Sequence, residues 1–378
     1  MKALRLQAER LGAHSNDFFV GRATNGSEQW KNPKLTLEEV SRPIPKHGEV
    51  LLKVEYCGLC GSDFHLADPK KDSLAYPGLL SLPITIGHEF SGRVVAHGPG
   101  LSPATLRALP LGALVTAEEM LWCGECLPCR SGQLNHCAHL EEIGFTQDGA
   151  HAEFLTLPAK VCWSLDQMAS ALGETEALRL GALVEPYAVS YRALFQGAHG
   201  GKWAPGLKIL VIGCGPIGAA ALDLALLGGA LQVDVLETDA GRRKFALSLG
   251  ASRAHAPEEI DSLEATYDWI IDAAGAAELF RKILSEKISV GGTLCLLARS
   301  PAGSILQSEQ LITKNARIVG SQGHSGESAF PRVISLLAAG KLQAEKFVTE
   351  IVSLEEALAR LTNQKKCEGK ILVKPANA

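Results

Sequence analysis

Short apolar segments, separated by polar turns with glycine and proline, run through the first half of the chain. Such segments predict strands, and the clearest four span 48–56, 90–98, 113–119 and 152–158. The first half is therefore predicted to be a mainly β domain. A long connection rich in proline and glycine, residues 68–83, is a candidate lining of a substrate pocket, and a solvated surface insertion is the alternative.

From about Gly206 the pattern changes, and strand-like runs alternate with segments of helical length. The strand-like runs are KILVIG, QVDVLE, YDWIIDAAG and GGTLCLLAR, and the helical ones are GAAALDLALLGG, GRRKFALSLG and AAELFRKILSEK. This alternation indicates βαβ units around a parallel sheet. A helix, SLEEALARLTN, and a strand, GKILVKP, close the chain, and we expect that strand to return to the first domain.

Composition narrows the class of protein. The 378 residues are too many for one ordinary core, so two domains are expected. A net charge of −4 gives no basic face for nucleic acid or a membrane. The first residues lack the apolar stretch of a secretory signal, and no run approaches the about 18 apolar residues of a membrane helix. We therefore expect a cytoplasmic protein whose ten cysteines are metal ligands or buried thiols.

Four cysteines within one short segment form the strongest local motif. They are spaced by three, three and eight residues: Cys123, Cys126, Cys129 and Cys137. Short steps of this kind let one loop supply four thiolates to a tetrahedral zinc. Disulfides or inert buried thiols are the alternative. A closed four-thiolate site is structural and does not catalyse.

A second, mixed set of candidate ligands lies upstream in YCGLCGSDFH and ITIGHEFSG. Its members are Cys57, Cys60, Ser62, Asp63, His65, His88 and Glu89. A thiolate, an imidazole and a carboxylate with one open position suit a catalytic zinc. Glu185, a lone acid in an apolar run, is a candidate for the missing ligand, since such acids are rarely buried unless paired or metal-bound. A capping or salt-bridged carboxylate is its alternative interpretation.

A glycine-rich turn predicts dinucleotide binding. After the apolar strand that ends at Ile212 come Gly213, Gly215, Pro216, Ile217 and Gly218, which fit GxGxxG before a helix of small residues. Glu237 ends the second strand nineteen residues after Gly218, where a carboxylate accepts ribose hydroxyls. This favours NAD over NADP, although Arg242 and Arg243 could offset the charge. The alternative for the glycines is an ordinary tight turn.

Taken together, GLCGSD, GHEFSG, the four cysteines, LVEP and GCGPIG occur in the order and approximate spacing of one family. The chain resembles the zinc-containing medium-chain dehydrogenases/reductases, in their sorbitol and threonine dehydrogenase branch. The resemblance implies an α/β protein with a Rossmann doubly wound parallel sheet and a mainly β, GroES-like catalytic domain that carries the structural zinc lobe. It implies a catalytic domain at 1–187, completed by about 344–378, and an NAD-binding domain at 188–343.

The resemblance also implies roles for individual residues. Cys60, His88 and Glu185 would hold the catalytic zinc, Glu89 would bind it directly or exchange with water, and Cys57 would be a packed thiol. Ser62 would take the substrate proton and His65 would pass it on, although His65 taken alone is equally a surface histidine. Asp63 would orient a ligating histidine.

A closer likeness, in AEEMLWCGEC and IVGSQGHSGESAFPRVISLL, is to a member that oxidises a ring hydroxyl of a ketoinositol. The expected activity is thus hydride transfer from a cyclitol or polyol to NAD, with two zinc ions per chain. A sorbitol-like or L-threonine 3-dehydrogenase is the alternative enzyme. A non-catalytic relative that binds zinc and a nucleotide is the more distant alternative. The oligomeric states common in this family imply a homodimer or homotetramer.

Overall fold

The computed structural model describes residues 1–13, 28–68, 73–75, 80–196, 203–263, 266–299, 306 and 308–376. Half of the predicted pocket-lining connection at 68–83, residues 69–72 and 76–79, lies outside these residues, so its role stays a prediction. Contacts divide the chain into two compact units. The first is Met1–Glu185 with Ser325–Ala339 and Val348–Ala378, and the second is Pro186–His324 with Gly340–Phe347. The domain boundaries predicted from the sequence stay predictions.

Strands predominate up to residue 165. The elements there are β1 Lys2–Ala13, β2 Glu28–Glu39, β3 Glu49–Gly58, α1 Gly61–Leu66, β4 Ser73–Ala75, β5 Ile84–Thr85, β6 Glu89–His97, α2 Pro103–Ala108, β7 Leu114–Ala117, β8 Met120–Leu121, α3 Leu127–Arg130, β9 Glu141–Glu142, β10 Phe154–Pro158 and β11 Cys162–Ser164. The four strands predicted in this half correspond to β3, β6, β7 and β10.

Helices and strands alternate beyond that point. The elements are α4 Asp166–Leu172, α5 Glu174–Gly181, α6 Val184–Phe195, β12 Lys208–Ile212, α7 Pro216–Leu227, β13 Gln232–Leu236, α8 Ala240–Ser248, β14 Arg253–His255, β15 Tyr267–Asp272, α9 Phe280–Lys282, β16 Ile288–Leu296, α10 Ser308–Lys314, β17 Arg317–Gly320, α11 Ala329–Ala338, α12 Ala344–Phe347, β18 Val348–Val352, α13 Leu354–Thr362 and β19 Lys370–Val373. None of the described helices is long and apolar enough to cross a membrane.

Two sheets build most of the first unit. One has the order β4-β2-β1-β5, and the other has the order β11-β7-β6-β3-β19-β18 with β10 paired to β3. The terminal strand β19 pairs antiparallel with β3, so the chain end returns to the first domain as predicted. Seven of the ten residues of the central strand β3 are buried. This strand ends next to the candidate metal ligands.

The second unit is built on six strands that are all parallel. Their order, β14-β13-β12-β15-β16-β17, is the Rossmann order 3-2-1-4-5-6. The predicted βαβ alternation is therefore confirmed. A buried network joins this unit internally: Asp223 on α7 accepts hydrogen bonds from the Tyr187 hydroxyl and the Gln343 amide, both at 2.8 Å.

One predicted helix differs from the structure. The segment 276–287 was expected as a single helix, but it contains a 3-10 turn at Ala277–Leu279, the short α9 and a π-helix at Ile283–Lys287. The wider π turn carries Lys287 inward, where its buried ammonium donates to the Leu263 carbonyl. The π turn and this long-range contact occur together, and the local apolar pattern indicates neither of them.

Candidate active site and metal centres

Three of the predicted ligands meet in the first unit. One ligand atom from each of Cys60, His88 and Glu89 lies within 4.8 Å of the others. The strand register causes this, because Gly58 at the end of β3 pairs with Glu89 at the start of β6. The residues that follow β3 therefore meet those that open β6. A thiolate, an imidazole and a carboxylate form the mixed donor set that a catalytic zinc uses.

The electrostatic surroundings of His88 also fit a metal cation. Burial lowers the pKa of His88, but Cys60, Asp63 and Glu89 outweigh that effect and raise the pKa well above its usual value. Charges that favour a proton on this imidazole favour a divalent cation beside it for the same reason. The ligand types at this site and the negative charges around His88 both suit zinc.

Asp63 connects the segments that carry two of these ligands. Its buried carboxylate accepts a hydrogen bond from the Cys60 amide at 2.9 Å, and its other oxygen lies 4.0 Å from His88 Nδ1. Burial raises the pKa of Asp63, but the hydrogen bond and the charge of His151, the charge of His88 and the Cys60 amide hold it below its usual value. An ionised Asp63 facing Nδ1 leaves Nε2 of His88 for a metal.

Glu89 is held by a lysine that the sequence analysis did not identify. Lys370 opens β19, and its ammonium donates to Glu89 Oε2 and, at 3.1 Å, to the Leu59 carbonyl. Burial lowers the pKa of Lys370, but Glu89 and Cys60 raise it above its usual value. Gly58 provides the space, since a Cβ there would lie 2.3 Å from Glu89 Oε2. The sequence feature that could have pointed to this role is a lysine at the start of an otherwise apolar last strand.

Glu185 does not belong to the group formed by Cys60, His88 and Glu89. Its buried carboxylate, on α6, has a ligand atom within 4.8 Å of one from Glu119. The charge of Glu185 is nevertheless among those that raise the pKa of Lys370, the partner of Glu89, and ligation by Glu185 stays a prediction. No motif in the sequence marks Glu119 as a functional residue.

The two predicted relay residues, Ser62 and His65, lie on one face of α1, because they are three positions apart along the helix. The Ser62 hydroxyl oxygen is buried and has no hydrogen-bond partner among the described residues. The His65 side chain is half-buried. Cys57 is fully buried, and burial raises the pKa of its thiol well above the usual value, so it is placed as a packed thiol.

The four-cysteine segment forms a separate site in the first unit. All four sulfurs lie within 4.8 Å of one another, and none is in a disulfide. Backbone amides donate to them, as that of Ala138 does to Cys126 at 3.2 Å. Burial raises the pKa of Cys126, but the amides of Cys129 and Ala138 more than offset it and lower the pKa to about 6. Amide donors favour thiolates, which are the ligands of a closed structural zinc.

An asparagine within this lobe attaches it to a distant segment of the same unit. Buried Asn135 donates to the Ser325 carbonyl at 3.0 Å and accepts from the Ser325 amide at 2.8 Å. These paired bonds mimic a strand pairing. The lobe therefore fixes the segment through which the chain returns from the second unit to the first.

The glycine turn of the second unit is shaped for a pyrophosphate. Gly213 follows β12 with φ +84, and α7 begins at Pro216. A Cβ at Gly218 would lie 1.8 Å from the Gly213 carbonyl oxygen, so only glycine fits there. Gly215 caps α7, and Ile217 receives a hydrogen bond on its carbonyl from Ser190 at 2.8 Å. The helix N-terminus with its free amides suits a phosphate anion.

Glu237 stands beside this turn. Its buried carboxylate accepts a hydrogen bond from the Cys214 amide at 2.7 Å. The guanidinium of Arg242 is close to Gly215, 3.8 Å from where a Cβ would lie. Arg243 is directed at backbone instead, donating to the Glu237 carbonyl at 2.7 Å. An acid and a cation thus flank the place where the adenosine ribose would bind.

Comparisons with known proteins agree with this architecture. Residues 46–167 match the alcohol dehydrogenase GroES-like domain, and residues 216–339 match the zinc-binding dehydrogenase domain. Scyllo-inosose 3-dehydrogenase of Thermotoga maritima is 40% identical, with 94% of each chain covered. A solved structure from Thermotoga maritima, assigned to the alcohol dehydrogenases, shares 35% identity at a TM-score of 0.87 and covers 99% of this chain and 100% of its own.

A second similar structure is a zinc-binding dehydrogenase from Sinorhizobium meliloti bound to NADP. It is 26% identical, with a TM-score of 0.77, and the match covers 98% of this chain and 99% of that one. The chain belongs to the zinc-containing alcohol dehydrogenase family, with a GroES-like domain and a Rossmann domain. It is a zinc-dependent oxidoreductase that uses a nicotinamide cofactor. The predicted fold class and enzyme class are confirmed.

Proposed function

We propose that this enzyme oxidises a secondary ring hydroxyl of a cyclitol such as an inosose, or of a related polyol, and that NAD accepts the hydride. The observation that carries the proposal is the mixed ligand group of Cys60, His88 and Glu89. Identity of 40% with a scyllo-inosose 3-dehydrogenase over 94% of the chain supports the cyclitol. Zinc bound at this group would lower the pKa of a substrate hydroxyl, and the nicotinamide would receive hydride.

The remaining residues would move the proton and keep the ligands in place. Ser62 follows Cys60 and has an unpartnered hydroxyl, so we assign to it the first acceptance of the substrate proton. His65 lies on the same face of α1 and would pass the proton to solvent. Asp63 would hold the tautomer of His88. Glu89 would exchange between Lys370 and the metal, and Glu185 would approach as a further ligand.

The preference for NAD over NADP is proposed from Glu237. Its carboxylate lies at the glycine turn, where it would accept ribose hydroxyls and repel a 2′-phosphate. Arg242 beside Gly215 would weaken the repulsion without reversing it. The four-cysteine lobe would hold the second, structural zinc.

A substrate panel tests this proposal. Purified enzyme would be assayed by nicotinamide absorbance with inositols, inososes, linear polyols and L-threonine, each with NAD and with NADP. We expect the largest kcat/KM for a cyclitol with NAD. Activity restricted to linear polyols or to L-threonine would refute the cyclitol assignment and support the alternative enzyme. Metal analysis should find two zinc ions per chain; one would indicate a structural lobe alone.

A homodimer or homotetramer is also proposed, from the habit of the family. Light scattering of the purified protein at assay concentration would measure its mass. A monomeric mass would contradict this proposal.

A further inference from the structure

A histidine that no motif marks lies directly behind the candidate catalytic metal site. His151 is fully buried in the first unit, just before β10. Its Nε2 is 3.4 Å from Asp63 Oδ2, the same oxygen that receives the Cys60 amide. The other oxygen of Asp63 lies 4.0 Å from His88 Nδ1, an electrostatic contact that is longer than a hydrogen bond. One carboxylate therefore connects three groups: the backbone of one ligand, the ring of another, and His151.

The backbone around His151 fixes the ring. The His151 amide donates to the Ile86 carbonyl at 2.9 Å, and the His151 carbonyl accepts from the Leu4 amide at 2.9 Å. The imidazole lies against Gly87, the residue before His88, so closely that a Cβ on Gly87 would be 2.7 Å from the ring. Gly87 has φ +99, which also requires glycine. The ring of His151 is thus locked against the turn that presents His88.

The geometry also determines which nitrogen donates. His151 Nδ1 is buried and has no hydrogen-bond partner among the described residues. A carboxylate oxygen accepts hydrogen bonds, so Nε2 is the donor of this contact and Asp63 Oδ2 is its acceptor. His151 is therefore a directed donor to Asp63.

We propose that His151 is a positioning residue for the catalytic metal: by donating to Asp63 Oδ2 it keeps the opposite oxygen directed at His88, and so fixes the orientation of that ligand. This inference rests on the proposed function. Loss of a group that holds a metal-bound histidine in place typically costs 10–100-fold in metal affinity or activity. His151 acts one contact further out, so we expect about a tenfold effect.

The test compares two substitutions of similar volume in the full-length enzyme. His151→Met removes both ring nitrogens, whereas His151→Gln retains an N–H donor. Metal affinity would be measured by competition with a chromogenic chelator, and ligand geometry by the visible absorption of the cobalt-substituted protein. We expect His151→Met to bind the more weakly held metal about tenfold less tightly, with an altered cobalt spectrum and a matching fall in kcat.

Rescue by the His151→Gln variant separates a positioning role of His151 from a packing role. His151→Gln should stay within about threefold of wild type in affinity and kcat, because the donor to Asp63 remains. His97→Met serves as the matched control, since His97 is a partly buried histidine of the same unit that bonds the Leu109 carbonyl at 2.7 Å and does not contact Asp63. It should leave the cobalt spectrum unchanged. If His151→Met does not fold by circular dichroism, His151→Leu replaces it.

The outcomes distinguish this inference from the proposed function. Unchanged metal affinity and cobalt spectrum in His151→Met, or equal losses in the Met and Gln variants, would overturn the role of His151 alone. A wild-type protein that binds two metals but oxidises no alcohol would overturn the proposed function, while a weaker metal in His151→Met would still support positioning. One metal per wild-type chain would overturn both.

Discussion

Replacing Lys370 by Met tests the buried ion pair at the metal site. Lys370 and Glu89 are each 1% exposed, and the ammonium also donates to the Leu59 carbonyl at 3.1 Å. Removing one partner of a buried pair leaves an uncompensated charge and typically costs about 3–5 kcal/mol. We expect Lys370→Met to lower the free energy of unfolding by that amount in metal-depleted protein, because Glu89 keeps its buried position behind Gly58.

Urea unfolding followed by circular dichroism measures this loss. With a denaturant slope of about 3 kcal/mol per molar, a loss of 3 kcal/mol lowers the midpoint by about 1 M. Added zinc should reduce the difference between Lys370→Met and wild type, since a metal cation would compensate Glu89 in place of the lysine. The same measurement with and without zinc therefore tests both the pairing of Glu89 with Lys370 and the proposed binding of Glu89 to the metal.

A double-mutant cycle isolates the pair. The single variants are Lys370→Met and Glu89→Gln, and the third combines them. Each single change leaves one buried charge, whereas the combination leaves none, so the two single losses should exceed the combined loss by at least about 2 kcal/mol. An unchanged midpoint in Lys370→Met, or losses that simply add, would refute the reasoning.

Four further predictions concern other parts of the molecule. Asn135→Ala should lower the free energy of unfolding by about 2–4 kcal/mol in urea, because two buried backbone groups lose their partners; an unchanged midpoint would contradict the anchoring of the lobe. Cys60→Ala should abolish hydride transfer in a folded protein, whereas Cys126→Ala should chiefly lower Tm and remove the lobe zinc; full activity of the Cys60 variant would disprove the ligand assignment. Glu237→Ser should lower the ratio of kcat/KM with NAD to kcat/KM with NADP, and an unchanged ratio would mean that the acid does not contact the ribose. Burial raises the pKa of Asp223 above its usual value, so the wild type should lose stability relative to Asp223→Asn as pH rises from about 4 to about 7, and a difference independent of pH would oppose this.

Much of the fold followed from local pattern. The strands β3, β6, β7 and β10, the βαβ alternation and the return of the last strand were all predicted, because burial on one or both faces gives each strand a regular apolar signature. The antiparallel pair β1–β2 was not predicted, although residues 4–9 of β1 alternate apolar and polar positions as a half-buried strand does. The π-helix at Ile283–Lys287 was not predicted either, because the pattern over residues 276–287 gives no sign of a change in helix type.

Metal-binding and nucleotide-binding residues could also be predicted from the sequence where they lie together in short motifs. The four cysteines, GxGxxG and the pairing of histidine with glutamate in GHEF are short motifs, and each implies its chemistry through spacing alone. Lys370 and His151 are single residues in unremarkable segments. Each lies far along the chain from its partner, Glu89 or Asp63, and no spacing connects them.

The sequence by itself therefore determined the protein class, the two sets of metal-ligand types and the nucleotide turn, because those depend on contacts within a few residues or on periodic burial. Only the tertiary structure decided which acid lies with Cys60 and His88, and which groups hold that acid and Asp63. Both depend on strand register. The pairing of β3 with β6 and β19 brings residues about 300 positions apart in the chain to one buried point, where each charged group needs an oppositely charged or hydrogen-bonding partner.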